Sequence, residues 1–141
     1  MKYILLIYHD EKRWQEIGES ERQQIYDEFG KLKADLQASG RYLSGSELQA
    51  TSTGASVRIR HGKELVTDGP FAETHEQLGG YMLIEAKDRD EAIQVARRIP
   101  LARTGTLEVR ALVERAAEAG ADGISREFRS AEGAALSSRG R

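Results

Sequence analysis

The chain has 141 residues, with 21 basic and 23 acidic side chains for a net charge of −2: enough for one domain around one core, and too evenly charged for a nucleic-acid partner. Cysteine is absent, which removes disulfides, thiolate nucleophiles and zinc–thiolate sites together and accords with a reducing, cytoplasmic setting. The longest apolar run, Ile4 to Tyr8, falls far short of the roughly 20 residues of a membrane span, and no secretory signal pattern opens the chain. Lys2 to Tyr8 is apolar on both alternating faces, which predicts a strand covered on both sides. Ser20 and Gln23 have capping-box spacing ahead of a helix. Ile25, Phe29, Leu32 and Leu36 recur on its inner face, and Gly40 offers its stop. Arg41 to Leu48 reads as a second strand anchored by Tyr42 and Leu43, followed by a polar loop over 49–54.

Ser56 to Arg60 alternates, which predicts Val57 and Ile59 inward and Arg58 and Arg60 outward. His61-Gly62 supplies turn chemistry, and Leu65-Val66 the return strand of a hairpin. Gly79 to Ala86 is a further apolar strand. Asp88 and Glu91 suit a capped helix start, with Ala92, Ile93, Ala96 and Ile99 inward and Pro100 as the stop. Leu107 to Val113 alternates as the last core strand.

With the hairpin set aside as an insertion, the order is βαββαβ, the ferredoxin-like α+β arrangement. Two helices cover one face of such a sheet, so the apolar second face at residues 2–8 and 81–84 calls for a symmetric partner, sheet against sheet. From residue 115 the chain turns to Ala, Gly, Ser and Arg. Ala116 to Ala119 is expected to extend as a helix, with a poorly ordered tail beyond, or with Ile124 and Phe128 packed on a helix against the partner.

The stretch Asp68-Gly69-Pro70-Phe71-Ala72-Glu73-Thr74-His75-Glu76-Gln77-Leu78-Gly79-Gly80-Tyr81 closely resembles the signature of DGPF-domain proteins, a branch of the YCII-related family. Met1 to Tyr8 and Gly105 to Arg110 resemble that family's ends, so the resemblance spans residues 1–114 as one domain and leaves 115–141 outside it. It implies a dimeric ferredoxin-like α+β barrel, hence a homodimer, and members encoded near extracytoplasmic-function sigma factors. Relatives proposed to be enzymes pair an Asp with a His from the first helix. This chain has no His between residues 10 and 60. If Asp68 matches that acid, its partner is missing or is replaced by a tyrosine or by His9, with Tyr26 and Phe29 on the helix's inner region.

Asp68 is the foremost candidate acid or base: Gly69-Pro70 bends the chain and Phe71 offers an apolar wall beside the carboxylate. An Asp before Gly-Pro is equally ordinary turn chemistry. His9, at the first strand's end, is the second candidate, since histidine is the residue type suited to proton transfer at physiological pH. Together Asp68, Phe71, Tyr81 and His9 are expected to line a cleft for a small-molecule ligand, with lyase- or isomerase-like acid/base chemistry. Arg58 and Arg60 share a hairpin face suited to a carboxylate or phosphate. His75 joins Asp68, Glu73 and Glu76 as a ligand-binding candidate, but without a second histidine nearby it predicts no metal. Thr74 and Gln77 have capping-box spacing and predict a helical turn around it. No cofactor motif appears: Gly79-Gly80 precedes a strand, whereas a dinucleotide loop opens a helix. The alternative to a ligand-binding protein is a non-catalytic interaction or regulatory module in a sigma-factor circuit.

Overall fold

The computed structural model describes residues 1–115; the expectations for Ala116 to Ala119, Ile124 and Phe128 lie outside the described residues. Strand β1 (Lys2–His9) runs into a short helix α1 (Glu11–Glu16), then the long helix α2 (Glu19–Ala38). Strand β2 (Tyr42–Glu47) leads through a 3-10 turn at Thr51–Thr53 to strands β3 (Ala55–Arg60) and β4 (Lys63–Asp68). Strand β5 (Gln77–Glu85), helix α3 (Arg89–Arg97), a 3-10 turn at Pro100–Arg103 and strand β6 (Thr106–Ala111) complete the order.

The main sheet runs β2-β5-β1-β6 with every neighbouring pair antiparallel. This is the ferredoxin-like α+β fold, with β3 and β4 forming a separate two-stranded sheet. Tyr3, Leu5 and Ile7 of β1 and Met82 and Ile84 of β5 are buried on one face against Leu32 and Leu36 of α2 and Ala92, Val95 and Ala96 of α3. Leu5, Leu32, Leu36, Ile84 and Ile99 are the largest fully buried side chains, each worth about 1.5–3 kcal/mol over exposure. The other face carries Ile4, Leu6 and Tyr8 of β1 beside Tyr81 and Leu83 of β5, all part-exposed.

Three local expectations change. Helix α2 starts two residues early, with Gly18 as its cap and Glu19 and Glu21 in the first turn, where carboxylates favour the helix dipole. Ser20 is therefore inside the helix and no capping box forms. The Thr74–Gln77 segment is a bend. The Thr74 hydroxyl donates to the Glu76 carbonyl at 2.6 Å and the Gln77 amide donates to the Thr74 carbonyl, and such local bonds compete with helix formation. Val57 and Ile59 are 60% and 66% exposed, because the hairpin is hydrogen-bonded only to itself and has no helix over it. Its turn is as expected, with His61 and Gly62 both at positive φ, 53° and 74°. Gly40 closes α2 at φ 70°, and Asp88 caps α3 by accepting from the Glu91 N–H at 2.9 Å.

Candidate functional site

A β-bulge positions the first functional side chain. Ile7 pairs with Gly80 but Tyr8 pairs with Leu78, which leaves Gly79 as the extra residue of β5. A bulge re-aims its neighbours, and here the His9 ring lies directly over Gly79. A Cβ on that glycine would stand 2.2 Å from His9 Nε2, so only glycine leaves the ring room. Asp10 then caps α1 by accepting from the Lys12 N–H at 3.0 Å. That turn brings Trp14 edge-on to His9, with ring centroids 5.8 Å apart, and Trp14 in turn meets Tyr26 of α2 edge-on at 5.7 Å. Arg22 holds this corner: its guanidinium lies 5.3 Å from the Trp14 ring centre and donates to the Trp14 carbonyl at 2.8 Å.

Below the aromatic run lies an open-sided cavity of about 260 Å³ between α2 and the helix-bearing face of the sheet. Its apolar walls are Ile7, Trp14, Phe29, Met82 and Leu101, and glycines 30, 45, 79 and 80 line it as well. Across its mouth the Tyr26 hydroxyl donates to the Glu47 carboxylate, 3.0 Å from each oxygen. Burial pushes the Tyr26 pKa above the ordinary tyrosine value; the hydrogen bond to Glu47 and that residue's negative charge add to the rise, and Arg22 opposes it. Lys33 lines the opposite end, its ammonium 5.2 Å from the Tyr42 ring centre.

His9 and Tyr81 both line this cavity, although strand alternation sends the Tyr81 ring to the open face of the sheet. Asp68 and Phe71 are not among its lining residues. Asp68 ends β4, exposed and paired in register with Ala55. The bend after it is held by the Gly69 N–H donating to the Gly54 carbonyl at 2.7 Å and by Ser56 donating to the Gly69 carbonyl at 2.9 Å. Phe71 is 76% exposed, with the Arg58 guanidinium 5.7 Å from its ring centre. Arg60 donates to the Ile59 carbonyl beside it, and His75 is exposed in the bend. Glu76 accepts from the Thr106 hydroxyl at 2.7 Å, which makes it a tie between the bend before β5 and the start of β6. Among the described residues no three His, Cys, Asp or Glu side chains gather as metal ligands do.

Sequence reasoning passed over Trp14, Gly30, Lys33 and Glu47. Gly30 carried a signal, a glycine in the interior of a long helix, where it costs about 1 kcal/mol against alanine. Glu47 carried none, because a strand-end glutamate is ordinary until Tyr26 is seen across from it.

Fold and site define a ferredoxin-like α+β domain with a cleft of small-molecule dimensions on its helix-bearing face. The chain belongs to the YCII-related domain family, whose profile matches residues 1–116. It is similar to an uncharacterized protein of Rhizobium meliloti (strain 1021), 34% identical over 114 residues that cover 79% of this chain and 92% of the relative. No described helix is long and apolar enough to cross a membrane.

Proposed function

We propose that the chain is a homodimeric small-molecule-binding protein that takes its ligand into the cleft between α2 and the sheet. His9 is its acid/base group for lyase- or isomerase-like chemistry. One observation carries the reading: a single concave, largely apolar site gathers His9, the Tyr26–Glu47 pair and Lys33, the composition expected of ligand pockets. Glycine at 79 supports it further, since that residue gives the His9 ring its place over the cavity. The homodimer rests on the part-exposed row Ile4, Leu6, Tyr8, Tyr81 and Leu83, which helices on the opposite face cannot shield. A cytoplasmic location and membership of the DGPF branch belong to the same proposal.

The test is a thermal-shift screen of small cyclic and acyclic fragments against wild type and Gly79→Ala, in which the new methyl displaces the His9 ring. A fragment at a hundred times its Kd stabilises by about 2.7 kcal/mol. Compounds that raise the melting temperature of wild type but not of Gly79→Ala support the reading. Compounds that act equally on both, or none that act, reject it. Running Asp68→Ala alongside asks whether Asp68 of the hairpin contributes; on this geometry its profile matches wild type.

The hairpin favours a second reading. Val57, Ile59, Leu65 and Val66 are each more than half exposed, and an isolated two-stranded sheet is marginal in water. An interaction module would present Phe71, Arg58, Arg60, His75 and Asp68 around those apolar residues to a protein partner, such as a member of a sigma-factor circuit. Val57→Lys with Val66→Lys would then abolish partner binding and leave fragment binding intact.

A further inference from the structure

Gly30 stands at an unfavourable position for no packing reason. A Cβ built on it meets nothing within 4 Å, so no neighbouring chain demands the close approach that usually justifies a helical glycine. The space it leaves opens into the cavity. Tyr26, Gly30 and Lys33 follow one another at i, i+4 and i+7 of α2, a single stripe along the helix, and all three line the cleft. The stripe has a flat, side-chain-free centre between two polar ends. Across from it Gly45 and Gly80 line the cavity without side chains of their own, and their neighbours close over them: the Tyr42 hydroxyl comes within 3.0 Å of where a Gly45 Cβ would stand, and Ile7 Cδ1 within 3.7 Å of one at Gly80.

The two ends differ in chemistry. At one, Glu47 accepts the Tyr26 hydroxyl and keeps lone pairs free for another donor; His9 and Trp14 flank it. At the other, Lys33 brings the cleft's cationic group, its ammonium close to the Tyr42 ring. Seven residues of helix set the backbones of Tyr26 and Lys33 about 10 Å apart along the axis, which leaves room between the two polar ends for one six-membered ring hydrogen-bonded at opposite positions.

We propose that the cleft selects a planar aromatic carboxylate with a hydrogen-bond donor at the far end of its ring, the ring lying over Gly30, the acid at Lys33 and the donor at Glu47. The proposal rests on the ligand-binding reading above and names its substrate class. A flat ring suits the bare glycine window, where it can lie against the backbone of the helix with no side chain between them. The reversed polarity, an ammonium at Glu47 with no acid for Lys33, leaves the lysine opposed by nothing on the ligand.

Trp14 is the chain's single tryptophan and lines the cleft, so its fluorescence reports occupancy directly. The full chain is titrated with 4-hydroxybenzoate, benzoate, phenol and tyramine. We expect saturable quenching by 4-hydroxybenzoate at a Kd about tenfold or more below those of the other three, the contrast a charge-assisted hydrogen bond provides. Lys33→Met should bring 4-hydroxybenzoate to the level of phenol, and Gly30→Leu should abolish its quenching while circular dichroism shows the helix retained. Should Gly30→Leu unfold, the exposed Lys33→Met exchange decides the question alone. Tightest binding by tyramine, equal binding by all four, or no quenching by any overturns the aromatic-acid proposal. The cleft reading itself is judged separately by the Gly79→Ala screen, so a wrong substrate class is distinguished from a wrong site.

Discussion

Tyr26 donates its hydroxyl to Glu47, and its pKa is raised, so the folded state favours the neutral phenol. A raised folded-state value adds stability that is complete below about pH 10 and is lost as pH climbs from there through the folded value. Tyr26→Phe should therefore show a shallower fall in urea midpoint above pH 10 than wild type, with little change at pH 7. Identical alkaline slopes would show that Glu47 does not hold the hydroxyl. Gly105 makes a different kind of demand: a Cβ there would lie 2.1 Å from the Tyr8 carbonyl oxygen, a backbone atom that cannot rotate away. Gly105→Ala is expected to cost about 1–3 kcal/mol by overpacking, read from chemical denaturation. An unchanged midpoint would mean that β1 and the turn before β6 separate easily.

Helix α2 illustrates how an element compromises between stability and a site. Its inner residues Leu32 and Leu36 are buried, and Phe29 and Ile25 pack on the same core, a pattern that was fully legible from the 3.6-residue period. Of the cavity-facing stripe only Tyr26 was legible; Gly30 and Lys33 were not, because a glycine and a lysine at helical spacing look like an exposed face until a sheet stands opposite. Since nothing crowds Gly30, Gly30→Ala should stabilise the protein by about 1 kcal/mol through helix propensity and raise its melting temperature by a few degrees. A destabilised Gly30→Ala would mean that the helix does approach another surface there. Strand β5 shows the opposite case. Gly79-Gly80 has no meaning as a motif, yet in the strand the first glycine is a bulge that admits His9 and the second lies 3.0 Å, at a notional Cβ, from the Ser46 carbonyl.

For the whole molecule the decisive feature is the sheet's second face. Leu6 sits at its centre, between Tyr81 of β5 and Glu108 of β6. If a second copy covers that face, Leu6→Glu buries an unpaired charge in the interface, a cost of several kcal/mol. Sedimentation velocity should then show wild type at twice the chain mass and Leu6→Glu at the chain mass. A wild type that sediments as one chain removes the homodimer.

Periodicity alone settled the α+β class, the chain order of strands and helices and the buried stripe of α2, because burial repeats along a chain with the geometry of each element; it left open which face of the two-faced β1 and β5 the helices cover, and it put Ile93 in the α3 core where Val95 is the more deeply buried. Local capping chemistry was legible where a side chain serves its own helix, as Asp88 does, and misleading where Ser20 and Gln23 had the spacing without the position. The site was another matter. The sequence draws the eye to Asp68 and its neighbours, a dense run on one loop, whereas the cavity is assembled from His9, Trp14, Tyr26, Lys33 and Glu47 on four different elements. Helical spacing links Tyr26 to Lys33, but no spacing rule links residues on different elements. Only the pairing of β1 with β5, the bulge at Gly79 and the packing of α2 across the sheet bring them within reach of one another, and distance in space is what chemistry requires.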